Sequence, residues 1–523
     1  MTPPARMEQL TRAAMRVAGS ARARVAARPA TALAVTGFVA GWLTIIAGGQ
    51  VGTVKSVIPL TSWLGLMSRD GQRAGDYAPG AIMLAGIVVL SLLWMWTLRL
   101  VRTRSMSEAH VWGIGAAWAT PFVIGPPLLS NDVWTYAAQG LLARSGLDPY
   151  TVGPAALGDG RAVAAVDPTW RNVPSPYGPL ATIMQHLAVA ISGGNPLGAV
   201  VVFRALGLVC LVAIGLLAAD LAGPRRTSAV AITVLNPLLL LQVVSAAHLD
   251  GVMAALTLGA LVAATRRRWI VAIVLAAAAG SVKAPAFLAV LAIIAWHQVY
   301  RLSWRSLARD SVVALVAVVG FSAVTPNGWG WTRALNASSL GHTALAPASL
   351  LADIFDPLVP SASFDDLSTA GRITALIAAA CIILYLTVTP NVRGLDRTVG
   401  YGLLAFGVLS PVVYPWYLLG GIACLMPNAQ GTRRDWLILL SVVGCVLSPP
   451  GFSTSISTWI SIGAAAIAVG VMARRAAQRR SAPGIGVPPA ELPAVGTVTA
   501  VPLVSRPAAA AAATAEQGVS AGG

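Results

Sequence analysis

Ser130-Asn131-Asp132-Val133-Trp134-Thr135-Tyr136-Ala137-Ala138-Gln139-Gly140 follows a long apolar segment that ends near Leu129, so it begins where the chain leaves a hydrocarbon layer. Ser130, Asn131 and Asp132 are all helix N-cap residues, and residues 133–144 contain no proline. On a helix over 133–144, Asp132, Tyr136 and Gln139 fall at i, i+4 and i+7 and share one face. Trp134, Ala137, Ala138, Leu141 and Leu142 form the other. This pattern predicts a helix lying on a membrane surface, apolar side down, with its carboxylate side turned to whatever sits above. Taken alone, an Asp at this position is more often a plain helix cap.

Composition sets the class. The chain has 523 residues, 56% hydrophobic and 11% charged, against about 25% charged for an ordinary soluble domain. It reads as an all-α polytopic membrane protein. The net charge of +17 does not indicate nucleic-acid binding. Lys and Arg sit in short clusters between apolar runs, as the positive-inside rule distributes them, and no basic face for tracking phosphates is present. Cys210, Cys381, Cys424 and Cys445 lie within apolar segments without a CxxC pair, which predicts buried thiols.

Residues 1–30 form a basic, cytoplasmic N-terminus with Arg6, Arg12, Arg16, Arg22, Arg24 and Arg28, followed by an uncleaved first span. Residues 31–473 form the membrane domain, with large outer loops at 130–176 and 326–371. Residues 474–523, rich in Ala, Pro and Gly, form a disordered cytoplasmic tail. Basic clusters at Arg102/Arg104, Arg225/Arg226, Arg266–Arg268 and Arg433/Arg434 alternate with apolar runs and predict about 13–15 spans, with residues 177–192 not crossing. Arg204 and Asp220, in or near the 198–221 run, have no explanation at this level. No internal repeat with matching broken segments is visible, which argues against an inverted-repeat transporter.

The predicted outer face collects Asp132, Tyr136, Gln139, Asp148, Tyr150, Asp167, Trp170, Arg171, Tyr177, His248, Asp250, Lys283, Tyr414, Trp416 and Tyr417. Carboxylates that accept hydroxyl protons, beside aromatic rings that stack on sugar faces, are the groups that bind carbohydrate. Lys283, set among apolar residues beside Pro285, costs a few kcal/mol in a bilayer unless it is paired or snorkels, and a phosphate would satisfy it. Each residue also has a structural role open to it. His248 can bond a helix-end carbonyl, Asp148-Pro149-Tyr150 is a turn by its chemistry, Asp250 can be a helix N-terminal charge, and the Pro415-Trp416-Tyr417 cluster can be an interfacial belt.

Asn131-Asp132-xxx-Tyr136-xx-Gln139-Gly140, Gly146-Leu147-Asp148-Pro149-Tyr150-xx-Gly153-Pro154 and Pro176-Tyr177-Gly178-Pro179-Leu180 stand in order. Leu235-Asn236-Pro237-Leu238, the His248 segment, Val282-Lys283-Ala284 and Pro415-Trp416-Tyr417 follow. Together, from about residue 110 to 420, they resemble the polyprenyl-phosphomannose-dependent α-1,6-mannopyranosyltransferases of actinobacteria, which have the GT-C fold and elongate the mannan core of lipomannan and lipoarabinomannan. One departure is visible: Ser130-Asn131-Asp132 stands where the family has a basic residue before the Asp.

The resemblance implies a multi-pass plasma-membrane enzyme with its active site on the extracytoplasmic face. It implies a β-linked polyprenyl phosphomannose donor, a lipid-anchored mannan acceptor, an α-linked product and hence inversion, without a metal or other cofactor. Asp132 is then the candidate base, and Lys283, Arg171 or His248 would stabilise the departing phosphate. Trp416 and Tyr417 would stack on sugar or pack the lipid tail. Tyr136, Gln139, Asp148, Tyr150, Tyr177 and Asp250 complete the candidate substrate-binding set. The competing readings are a GT-C transferase for polyprenyl-linked arabinofuranose or glucose, and a lipid or sugar transporter, which would carry its charges at mid-span.

Overall fold

The computed structural model of the chain describes residues 28–50, 63, 78–325, 327–334, 346–358, 363–390 and 394–447. The expected basic N-terminus before Arg28, the last expected span at 458–472 and the tail from 474 lie outside the described residues. Among the described residues the chain is helical, without strands. Five stretches are long and apolar enough to cross a membrane: Arg28–Gln50, Ala78–Arg102, Pro196–Val234, Trp304–Ala323 and Phe364–Val388. A sixth candidate is a pair, Pro237–Ser245 and Asp250–Thr265, bent by 117° at its break. Shorter apolar helices, including Trp269–Val282 and Pro415–Leu425, pack among these. Long helices therefore account for only part of the expected about 13–15 spans, because several passes are short or interrupted.

Pro196–Val234 is one such interruption. Gly223, at φ 56°, divides it into Pro196–Ala222 and Arg226–Val234, which pack against each other as a hairpin. This is the pair of segments that Arg225 and Arg226 separate in the sequence.

Charged contacts sort the loops to two ends of the bundle. Arg226 meets Glu108 at 2.6 Å, Arg266 meets Asp220 at 2.6 Å, and Arg267 lies 5.4 Å over the Tyr300 ring. Arg225 donates to Asn428, whose amide donates to Asp396. Asp220 thus has its partner at the arginine-rich end. At the opposite end lie Asp132, His248, Lys283 and Trp416. Pro179–Ile191 begins beside Ser281 at this second end, and Pro196–Ala222 starts there as well, so residues 177–192 lie across the end rather than crossing the bundle.

The Asp132–Arg144 helix forms where its periodicity places it, with Asn131 at the N-cap making no side-chain capping bond, but its surroundings differ from a membrane surface. Val133 to Gly140 and Leu142 are all buried, so both faces meet protein. It packs on Pro179–Ile191 and Pro196–Ala222. Gly140 makes the first contact close, because a Cβ there would collide with the Gln185 carbonyl. The apolar face found cover inside the fold, and a smaller core of Val133, Trp134, Tyr136, Tyr177, Phe203 and Val282 forms the platform.

The second large loop is shorter than its composition suggests. Phe364–Val388 starts inside the 326–371 stretch, because Ser363 and Asp366 form a reciprocal capping box, and Pro347–Phe355 adds a helix that packs on it. Cys381, on this helix, is exposed, whereas Cys210, Cys424 and Cys445 are buried as expected.

Candidate active site

Three local devices bring the site together. Leu129, at φ 68°, adopts the left-handed conformation that costs an L-residue about 1–2 kcal/mol. The chain then turns into Ser130, whose Oγ accepts from the Asp132 amide at 3.1 Å. Ala247, at φ 54°, does the same immediately before His248. It follows a π-helical segment, Leu240–Ser245, whose Gln242 carbonyl accepts the His248 amide at 3.0 Å. Widened turns of this kind occur often at functional sites. The third device is the break at Lys283. The helix Trp269–Val282 ends there in extended backbone, with Pro285 next but one. Gly178 donates its amide to the Val282 carbonyl at the helix end, at 3.0 Å, so close that a Cβ on Gly178 would strike the Ser281 carbonyl. Tyr177 is thereby docked beside Lys283.

Asp132 Oδ2 lies 3.5 Å from His248 Nδ1, and the Tyr136 hydroxyl lies 3.4 Å from the same nitrogen and 3.2 Å from the Tyr177 hydroxyl. Behind them Lys283 Nζ donates to both Asp250 oxygens, at 2.8 and 3.0 Å, and stands 4.2 Å over the Tyr417 ring. Trp416 is sandwiched between His248, 4.1 Å away at 18°, and Tyr414, 4.4 Å away at 5°. In front opens a cavity of about 190 Å³ walled by Asp132, Tyr136, Gln139, Tyr177, Trp416 and Tyr417, with Asp167, Trp170 and Tyr414.

Asp132 has 19% of its side chain exposed, toward this cavity. Burial raises its pKa to about 6; the charges of Asp250 and Asp167 push the same way, against Lys283 and the Ser130 hydrogen bond. At neutral pH it is a carboxylate whose proton affinity suits general-base work. Burial likewise lifts the Tyr177 phenol well above its usual range, so it is a neutral hydrogen-bonding group. Asp250 and Lys283 satisfy each other, which leaves Asp132 and Asp167 as the carboxylates at the cavity, and Asp167 already accepts from the Thr169 amide at 2.9 Å.

The sequence candidates divide. Asp132, Tyr136, Gln139, Tyr177, Trp416 and Tyr417 wall the cavity, while His248, Asp250 and Lys283 stand directly behind them. Asp148, Tyr150 and Arg171 are not among the lining residues. Asp148 accepts from the Tyr150 amide in a turn, Tyr150 bonds Thr182 at 2.8 Å, and Arg171 donates to the Val166 and Ala164 carbonyls. Gln139 lines the cavity with its amide already engaged, accepting from Gln185 at 2.9 Å and Ser175 at 3.2 Å. Asp167, Trp170 and Tyr414 stood on the predicted outer face without a role; the loop turn after Asp167 and the Tyr414–Trp416 stack bring them in. Among the described residues no three His, Cys, Asp or Glu side chains converge as metal ligands.

Residues 34–299 match the family model described as alpha-(1->6)-mannopyranosyltransferase, N-terminal domain. The chain is 30% identical over 449 residues to alpha-(1->6)-mannopyranosyltransferase A of Mycobacterium tuberculosis, covering 80% of this chain and 85% of that one. It is 30% identical over 412 residues to a probable alpha-(1->6)-mannopyranosyltransferase of Mycolicibacterium smegmatis, covering 69% and 73%. Against alpha-(1->6)-mannopyranosyltransferase A of Corynebacterium glutamicum the identity is 28% over 356 residues, 62% of this chain and 71% of that one. No solved structure matches it significantly.

Proposed function

The chain belongs to the alpha-(1->6)-mannopyranosyltransferase family, and from that premise we propose that it moves mannose from polyprenyl phosphomannose to a growing α-1,6-mannan lipoglycan at the outer face of the plasma membrane, with inversion. The observation that carries this reading is the Asp132 carboxylate, partly exposed at the wall of an aromatic cavity, with its pKa raised to about 6.

In this scheme an acceptor hydroxyl attacks the mannose anomeric carbon as Asp132 takes its proton. The bond to the phosphate oxygen breaks on the opposite side, and the phosphate leaves with the electron pair. Lys283, held by Asp250 between the Tyr177 and Tyr417 rings, supplies positive charge behind the cavity for the departing phosphate. The Trp416–Tyr414 stack offers an aromatic face to a sugar ring. The outer-face assignment is supported by the arginine-rich loops lying at the other end of the bundle, as expected of a cytoplasmic side.

Membranes containing the protein, given synthetic polyprenyl phosphomannose and an α-1,6-dimannoside on an alkyl aglycone, should form an α-1,6-linked trimannoside. Transfer from GDP-mannose in the absence of the lipid-linked donor, or no transfer from the lipid-linked donor, would contradict the reading. Competition with polyprenyl-linked arabinofuranose and glucose identifies the sugar.

A further inference from the structure

Arg204 lies within the Pro196–Ala222 helix, is 2% exposed, and among the described residues has no carboxylate within ion-pair distance. Its partners are backbone carbonyls. Nη1 donates to Val123 O at 3.0 Å and to Gly125 O, and Nη2 donates to Ser245 O at 3.0 Å. The guanidinium sits 5.4 Å over the Trp63 ring, whose Nε1 donates to Ile124 O at 2.7 Å.

These carbonyls belong to two helix ends. Val123, Ile124 and Gly125 close the helix Glu108–Ile124, and Ser245 closes the π-helical segment. Carbonyls at a helix C-terminus lack partners within the helix and carry its negative pole, so one buried cation satisfies both ends together. From each end the chain runs a few residues, passes one left-handed residue and delivers a site group: Gly125 leads through Leu129 to Asp132, and Ser245 through Ala247 to His248.

We propose that Arg204 is a positioning residue for the transfer reaction, clamping these two helix ends so that the Asp132 carboxylate and the His248 imidazole are held 3.5 Å apart at the cavity wall. A charge buried in a bilayer helix is costly, and an apolar side chain would fill the space without that cost. What the apolar residue lacks is a planar fork that reaches carbonyls on two separate segments. Lysine, with its charge on a single nitrogen, lacks it too. The inference rests on the reading of Asp132 as base, and its test separates the two.

Wild type, Arg204→Lys, Trp63→Phe and Asp132→Asn are purified in lipid nanodiscs and assayed with the same donor and dimannoside. Arg204→Lys should lower kcat per folded molecule by about 10- to 100-fold, with KM for donor and acceptor within about threefold. The acid limb of its pH profile should also move to lower pH, because the loosened turn lets water reach Asp132 and relieves the burial that raises its pKa, while Lys283, Asp250 and Asp167 still face it. Trp63→Phe, which removes the bond to Ile124 O and leaves a smaller ring under the guanidinium, should move kcat in the same direction by less, and it decides the question if Arg204→Lys does not fold. An unchanged kcat and acid limb, or a loss confined to folded yield, overturns the proposal. Activity in Asp132→Asn would overturn the base assignment instead.

Discussion

At the scale of single residues, the proposed transfer depends on a carboxylate kept in an unfavourable place. With its folded pKa near 6, Asp132 must be ionised to accept a proton. Transfer should therefore fall about tenfold per pH unit below about 6 and level off above it. The same shift has a consequence for stability. The folded state binds this proton more tightly than the unfolded chain, so the contribution of Asp132 to stability is fully present at acid pH and is lost as pH rises through the window from about 4 to 6. The loss is up to about 3 kcal/mol at neutrality. Asp132→Asn should abolish transfer, by a factor of at least about 10² to 10⁴, and yet raise the melting temperature at pH 7.5. A melting temperature that falls, with activity retained, would show that the carboxylate is a structural cap. A second prediction concerns Lys283 and Asp250. Lys283→Ala leaves a buried acid unpaired and should destabilise by about 3–5 kcal/mol, whereas Lys283→Met with Asp250→Leu should recover much of that. If the recovered double variant also regains turnover, Lys283 serves only its partner. Continued loss of activity in a folded double variant would tie it to the departing group. Asp132 was legible in the sequence because it follows a membrane-length run and shares a helix face with Tyr136 and Gln139. The Lys283–Asp250 pair was not, since its members are 33 positions apart on different helices and only packing brings them together.

At the scale of elements, the site is built at helix ends and breaks: the turn at Leu129, the π-helical segment before His248, and the extended residue at Lys283. Proline and N-cap residues announced some of these. Pro285 marks the Lys283 break, and Asn236 caps the helix at Pro237 with its side chain accepting from Leu238 N at 2.9 Å. A left-handed Leu129 or Ala247 carries no such mark. Nor did the apolar face of the Asp132 helix reveal its cover, because Trp134, Ala137 and Leu142 suit lipid and protein equally. Arg204 looked anomalous for the same reason: its partners are backbone carbonyls, which every sequence contains. Gly178, by contrast, has a definite duty. Gly178→Ala should push the Tyr177 loop off the Ser281 carbonyl, lowering kcat by about 10²-fold or more, and Pro179–Ile191 should show faster hydrogen exchange at its first turn. Wild-type exchange and turnover would mean that the loop does not need this close approach.

At the scale of the whole molecule, the all-helical polytopic architecture was readable from composition, and the basic clusters foretold one arginine-rich end. The count of passes was less readable: the hairpin at Gly223 and the 117° break at residues 246–249 fall where the sequence divides the chain, but they leave legs as short as Arg226–Val234, which length alone does not mark as spans. The proposed transfer requires that the two ends of this architecture face different compartments, with Asp132 on the side where a lipid-linked sugar and a lipoglycan would meet. The direct measurement is labelling of intact cells with a membrane-impermeant maleimide, in a background where Cys381 is replaced by Ser. Asp159→Cys, in the exposed loop beside the site, should react fully, and Thr103→Cys, exposed at the arginine-rich end, should react only after the cells are permeabilised. The reverse pattern, with Thr103→Cys labelled in intact cells and Asp159→Cys protected, would put the carboxylate in the cytoplasm and contradict the account.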